Sequence, residues 1–142
     1  MPAKAGIHLD EVSMGKYGKC AEIAVDLLSK KEASDPVEAW NKAVFKIFPT
    51  QKPSREKGCP KNAFLGLCEE GIVNGASSGR YTTSDKNKKY ALSAVALLKE
   101  KPHLCEDENA LWGMVKGNEE KKHNAQMDVV ISLWNKKAIK DS

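Results

Sequence analysis

The chain has 142 residues, of which 41% are hydrophobic and 30% charged, and its formal net charge is +4. This length fits one domain, which can bury enough apolar surface to fold without a disulfide or a metal. No apolar stretch approaches the roughly 18 residues of a membrane span, and residues 1–10 lack the apolar centre of a signal peptide. We therefore expect a soluble cytoplasmic protein.

The first half of the chain opens with two predicted helices. Apolar residues recur at helical spacing from Met14, so we expect a helix there, preceded by a flexible leader over residues 1–13. Asp35 and Pro36 predict the start of a second helix, because aspartate caps free N–H groups and proline suits the first helical position. Pro49 ends this helix.

A third and a fourth predicted helix lie on either side of a linker. Residues 49–59 have the composition of a loop, and Pro60 then opens a helix that Gly71 ends in a left-handed cap. Residues 75–83 are rich in glycine and hydroxyl side chains and read as a linker. Ser84 then caps the fourth helix.

Two further helices complete the chain. Asp107 caps the fifth, which Gly117 stops, and His123 or Asn124 caps the sixth. The sequence therefore predicts an all-α protein, with six helices in a single domain over residues 14–142.

The two halves of this domain resemble each other. Three matches occur in the same order, at offsets of 70, 72 and 66 positions, and they predict related three-helix units over residues 14–73 and 84–139. The alternative is six unrelated amphipathic helices. The matched elements are residues 24–28 with 94–98, the segment around Trp40 with that around Trp112, and residues 65–73 with 131–139.

The four cysteines are widely spaced and form no Cys-x-x-Cys pair. We expect reduced thiols, with no metal and no cofactor, because free cysteine packs as a small hydrophobic residue in a reducing compartment. The alternative is a zinc site, although the paired ligand spacings of such sites are missing. Its ligands would be Cys59, Cys68, Cys105 and either His103 or His123.

Glu69 and Glu70 break a local rule, because the end of a helix disfavours negative charge. We expect them to be neutralised by Lys136 or Lys137, which occupy the matching end of the sixth helix. The alternative is a catalytic pair, joined by His123 as a general base and by Asp128. We expect this histidine mainly to cap its helix.

The basic residues offer a second kind of site. The linker runs into a helix N-terminus and carries one of only two arginines, so it is a candidate for anion binding. The many lysines allow contacts with phosphates but not base-specific reading, for which arginine is preferred. The candidates for binding an anion or nucleic acid are Arg55, Lys57, Lys61, Arg80, Ser84 and Lys86. Trp40, Trp112 and Trp134 are expected in the core.

Residues 58–71 and 123–130, with Gly79–Thr82 and Asn87–Ala91 between them, resemble a family of small uncharacterised bacterial proteins. The likeness runs from about Tyr17 to Ile139. It implies a bacterial cytosolic protein and carries no activity. One departure is Lys137, which stands where the repeat would favour a glycine, so the last helix should end less sharply.

Three functions remain open from the sequence. The first is a non-catalytic interaction module that binds another macromolecule, most simply a protein, or associates with itself. The alternative is a nucleic-acid-binding protein with a lysine-rich face. The third is a small hydrolase-type enzyme built on Glu69, Glu70, His123 and Asp128, which requires these groups to meet in one pocket.

Overall fold

The computed structural model describes residues 9–121 and 123–140, with the backbone alone for residues 9–14. All main elements in this part of the chain are α-helices, in a single domain, as predicted. They are α1 (Leu9–Ser29), α2 (Pro36–Ile47), α3 (Gly58–Glu69), α4 (Asp85–Glu100), α5 (Glu108–Lys116) and α6 (Gln126–Asn135). A single helical turn, Lys52–Arg55, precedes α3, and a 3-10 helix, Pro102–Glu106, precedes α5.

The leader predicted over residues 1–13 lies mostly outside the described residues. The backbone of its last five residues is already helical, because α1 begins at Leu9 rather than at Met14. None of the described helices is both long and apolar enough to cross a membrane.

The predicted caps begin the helices. In α2, α4 and α5 a side-chain oxygen before the first turn accepts a backbone N–H three residues on, and in α6 a histidine ring replaces it. These bonds join residues three or four positions apart, so the sequence alone could locate them. They run from Glu38 to Asp35 at 2.9 Å, from Asn87 to Ser84 at 3.3 Å, from Ala110 to Asp107 at 3.0 Å and from Met127 to His123 Nε2 at 2.9 Å.

The core joins both halves of the chain. Helix α1 packs on α2 and α6, and α3 packs on α4. Trp40 is fully buried and stacks on Phe64 with ring centroids 5.4 Å apart, while Trp112 meets Tyr90 edge-on at 5.0 Å. The expectation of core tryptophans is confirmed for these two residues. Trp134 is only partly buried, at the edge of the core.

Two glycines let helices approach closely. A Cβ atom at Gly66 in α3 would lie 2.8 Å from the Cα of Lys88 in α4. One at Gly18 in α1 would lie 2.0 Å from the Ser132 hydroxyl and 3.0 Å from the backbone oxygen of Asp128, both in α6. These separations are shorter than van der Waals contact, so both crossings depend on the missing side chain.

The segments that follow α3 and α6 pair with each other. Val73 and Ile139, which are matched residues in the predicted repeat, form an isolated antiparallel bridge. If each residue is replaced by the one matched to it 66 positions away, each of the two hydrogen bonds of the bridge becomes the other. A two-fold relation between the halves requires this. The superposition of the halves itself stays a prediction. The bonds run from Asn74 N–H to Ala138 O and from Lys140 N–H to Ile72 O, both at 2.8 Å.

The two matched helix ends also share a backbone conformation. Gly71 has a φ of 72° and Lys137 a φ of 62°. Lys137 N–H bonds to Trp134 O at 3.0 Å, as Gly71 N–H bonds to Cys68 O at 2.9 Å. The looser end expected for α6 is therefore not found: the lysine accepts a left-handed conformation that costs a non-glycine residue about 1–2 kcal/mol.

Candidate functional site

Glu69 fastens the linker to the end of α3. Its Oε2 accepts hydrogen bonds from the backbone N–H groups of Tyr81 and Thr82, both at 2.8 Å. Its Oε1 accepts a 2.7 Å bond from the Lys88 ammonium, which also lies 2.7 Å from Glu70. The Lys88 bond, followed by that from Thr82, lowers the pKa of Glu69 to about 2. The Glu69 carboxylate therefore has a structural role, because it joins the end of α3 to the linker and to α4.

The prediction that Lys136 or Lys137 neutralises the two glutamates is wrong. Lys88 of α4 neutralises them, whereas Lys136 reaches α1 and lies 3.2 Å from Asp26. The C-terminal turn of α3 packs beside the N-terminal half of α4, so the nearest lysine comes from that helix.

A polar pocket of about 330 Å³ lies beside Glu69. Its cations are Arg80 and Lys88, and its carboxylates are Glu69 and Asp85. Because positive and negative groups balance in number, and Lys88 is already paired, the pocket has little attraction for an anion. The charges of this pocket therefore do not favour the anion site that the sequence of the linker suggested, which stays a prediction.

A chain of side-chain hydrogen bonds continues from the linker into the protein. Ser84, one of the anion-binding candidates, uses its hydroxyl to cap α4 and to accept a bond from the Asn87 amide. Buried Gln126 closes the chain at α6. These bonds connect α3, the linker, α4 and α6. Their donors and acceptors are the Thr82 hydroxyl to Asn62 at 2.7 Å, Ser84 N–H to Thr82 at 3.0 Å, the Asn87 amide to Ser84 at 3.0 Å and the Gln126 amide to Asn87 at 3.1 Å.

His123 caps α6, as expected, and this role occupies its basic nitrogen. Nε2 accepts the Met127 N–H, while Nδ1 lies 3.3 Å from the Glu108 carboxylate. The ring packs against Trp112 with centroids 5.2 Å apart. Burial lowers the pKa of His123 to about 4, with Lys57 a smaller cause. The imidazole is thus neutral near pH 7, and its lone pair is not open to a substrate.

Asp128 lies buried where α1 crosses α6. Its Oδ2 accepts the Gly18 N–H at 2.8 Å. Burial, opposed by the Gly18 bond and aided by the charges of Glu108 and Glu22, raises the pKa of this carboxyl to about 7. The four candidate catalytic side chains thus bond to different elements: Asp128 to α1, His123 to α5, and the two glutamates to the linker and α4, although Glu108 lies near both His123 and Asp128.

Asp128 and His123 should make stability respond to pH in opposite directions. The raised pKa of Asp128 favours its neutral form, so its contribution is lost as pH rises from about 4 to about 7. The lowered pKa of His123 also favours its neutral form, so its contribution is lost as pH falls from 6.5 to about 4. Each slope is at most about 1.4 kcal/mol per pH unit, and the two oppose each other between these limits.

We expect Asp128→Asn to expose the histidine slope. The asparagine oxygen still accepts the Gly18 N–H, so the crossing is kept while one titration is removed. Urea unfolding at pH 5, 6 and 7 should show stability rising with pH more steeply in the variant than in the parent chain. Parallel curves for the two proteins would contradict the raised pKa of Asp128, and a variant whose stability does not rise with pH would contradict the lowered pKa of His123.

A different surface gathers cations over aromatic rings. Arg55 stacks on Phe45, with the guanidinium carbon 4.3 Å from the ring centroid. Lys16 and Lys57 lie over two further rings. Their Nζ atoms are 5.6 Å from the centroid of Phe48 and 5.7 Å from that of Tyr17. We call this surface the basic–aromatic face, and its residues are Lys16, Tyr17, Phe45, Phe48, Arg55 and Lys57.

Two segments far apart in sequence build this face, residues 16–17 of α1 and residues 45–57. The Tyr17 and Phe48 rings from α1 and the end of α2 pack at 5.1 Å, and the Tyr17 hydroxyl donates to the Ser54 carbonyl at 3.0 Å. Arg55 Nη1 donates to the carbonyls of Phe48 at 2.8 Å and Pro49 at 3.0 Å, which holds the guanidinium against the end of α2.

Sequence reasoning found part of this face. Arg55 and Lys57 were among the nucleic-acid candidates, whereas the other four residues were missed. Two signals pointed to the missed phenylalanines but not to Lys16 and Tyr17: residues 42–61 hold six lysine or arginine residues against one glutamate, and Phe45 falls on the polar side of α2. The remaining candidates lie apart from these contacts. Lys86 pairs with Glu119 at 3.3 Å, Arg80 lines the balanced pocket, and Lys61 lies in the first turn of α3.

The cysteines take no part in these contacts. Cys20 and Cys68 are buried free thiols, and Cys59 and Cys105 are partly exposed free thiols. Burial raises the pKa of Cys20 to about 12 and also raises that of Cys68. Within the described residues no three histidine, cysteine, aspartate or glutamate side chains are placed to share a metal ion.

The fold and this face describe a small all-helical protein with a fixed basic surface. The chain belongs to a family of unknown function, DUF6979, whose model matches residues 14–140. No curated protein and no solved structure matches the chain.

Proposed function

We propose that this protein is a non-catalytic interaction module that binds an anionic macromolecule through the basic–aromatic face. The observation that carries the proposal is that three cationic side chains each lie over an aromatic ring of the face. They are Arg55, Lys16 and Lys57. Cations fixed in place lose less conformational entropy on binding than freely moving lysines do. A fixed cluster also concentrates positive potential on one side of the molecule.

The groups that an enzyme would need support this choice over a hydrolase. Glu69, His123 and Asp128 each spend their acceptor atoms on backbone N–H groups of the same chain. A catalytic acid or base must instead reach a proton of the substrate. These side chains cap a helix or connect elements of the fold. Such structural roles are compatible with a non-catalytic binding module.

Retention on a heparin column tests the proposal. Lys16→Glu/Lys57→Glu and the matched control Lys89→Glu/Lys99→Glu both lower the formal net charge from +4 to zero. We expect the first double variant to elute at clearly lower salt than the second, because only the first removes cations from the face. Equal shifts for the two would mean that retention follows net charge alone, and the proposal would fail.

We further propose that the module acts in the cytoplasm of a bacterium, as the resemblance implied. Buried thiols with raised pKa values suit a reducing compartment, since they are poorly reactive and need no partner. Two other partners could occupy the same face, a protein with an acidic surface or a second copy of the chain. The poly-glutamate probe described below tests the first, and sedimentation at increasing protein concentration tests the second.

A further inference from the structure

We infer that the anionic partner is single-stranded nucleic acid, which stacks a base on Phe45 and places its phosphates against the neighbouring cations. This inference rests on the proposed function and adds the class of ligand. Three features of the molecule support it: the one open ring of the face, the guanidinium held over that ring and the groove that adjoins them.

Phe45 is the open ring. Its side chain is 58% exposed, the largest value among the large hydrophobic residues described. The other two rings of the face, Tyr17 and Phe48, are buried beneath their lysines. An exposed ring beside cations suits single strands, whose bases offer free faces, whereas a duplex hides those faces within its own stack.

Arg55 is placed to serve the base and the phosphate together. Its guanidinium lies over one face of the Phe45 ring, 4.3 Å from the centroid, so a base stacks on the opposite face of the ring or on the outer face of the guanidinium. Nη1 is tied to two backbone carbonyls, which fixes the plane of the group. An arginine held in this way keeps its other N–H groups in one orientation toward a phosphate.

A groove of about 490 Å³ runs beside Phe45 along α2 and is lined by Val37, Asn41 and Lys42. Mostly apolar walls with a few polar groups suit a nucleobase. Two carboxylates, Asp35 and Glu38, and one cation, Lys42, line the same groove, so it suits an uncharged base, while the phosphates lie against Arg55, Lys16 and Lys57. Asp35 accepts the Glu38 N–H, and Glu38 accepts bonds from Ser34 and lies 3.5 Å from Lys42.

The chemistry of the face predicts little preference for base sequence. Only two arginines are present in the chain, and Arg80 lies in the balanced pocket rather than on this face. Lysine ammonium groups bind phosphates as point charges and do not read base edges in pairs. Stacking on one ring accepts any base.

Fluorescence anisotropy with labelled oligothymidine of about 20 nucleotides tests the inference, with the matched duplex and labelled poly-glutamate as comparison probes. We expect the single strand to bind more tightly than either. The logarithm of its binding constant should fall with the logarithm of salt concentration at a slope of about −2, as expected for three phosphates neutralised on a single strand.

Two variants separate stacking from charge. Phe45→Ala should weaken binding of the single strand by about 5- to 100-fold, because one stacked base is lost. Met114→Ala removes the other large hydrophobic side chain that is exposed among the described residues, on α5, and should leave binding unchanged. Both side chains lie largely outside the core, so both variants should keep the parent melting temperature.

The possible results distinguish the inference from the proposed function. If the duplex or poly-glutamate binds as tightly as the single strand, or if Phe45→Ala binds like the parent, the single-strand inference is overturned. The proposed function then still stands, provided that Lys16→Glu/Lys57→Glu weakens the binding of those probes. If that double variant binds every probe like the parent chain, both proposals fail.

Discussion

Replacing Gly66 by alanine is expected to destabilise the protein by about 1–3 kcal/mol, the usual cost of overpacking a tight contact. The new Cβ would lie 2.7–2.8 Å from the Cα, Cβ and Cγ atoms of Lys88. One of these is a backbone atom, so α3 and α4 must move apart rather than a side chain rotate. The separation would also lengthen the bond that Lys88 makes with Glu69.

Gly113→Ala is the matched control for this substitution. Gly113 lies in the exposed part of α5, and no heavy atom lies within 4 Å of the position of its Cβ. Alanine there should raise stability by up to about 1 kcal/mol, because it is the better helix former. Thermal or urea unfolding should therefore give changes of opposite sign. A stabilised Gly66→Ala variant would show that the helices are not in close contact.

Replacing Trp40 by alanine is expected to cost about 3–5 kcal/mol, the largest loss from any single change proposed here. The Trp40 side chain extends from α2, is fully buried and stacks on the ring of Phe64. A loss of this size approaches the whole stability of many domains, so the variant should unfold at far lower urea concentration than the parent.

Trp40→Phe separates packing from hydrogen bonding at this position. The indole Nε1 is buried with no hydrogen-bond partner in the described structure, so its desolvation cost is uncompensated. Phenylalanine removes that N–H and keeps most of the stacking on Phe64, and we expect well under half of the alanine loss. Equal losses in urea unfolding would contradict this expectation, because they would mean that the phenyl ring recovers none of the packing of the indole.

The candidate site divides into a part that the sequence indicated and a part that it did not. Arg55 and Lys57 could be named because they lie within one basic stretch of the chain. Lys16 and Tyr17 could not, since they come from a helix some forty residues earlier and reach the face only through packing. The same limit explains the wrong partner for Glu69 and Glu70, because a lysine in α4 can be recognised only when the path of the linker is known.

The sequence by itself determined the six helices and the starting points of α2, α4 and α5. Asp35, Ser84 and Asp107 each bond to an N–H group three residues on, so the information is local. The tertiary structure alone decided which helices touch, and hence the roles of Gly18, Gly66 and Asp128. Helix propensity counts those glycines only as a cost, and the Gly18–Asp128 bond joins residues 110 positions apart. Such pairings depend on how the helices pack, which no local pattern encodes.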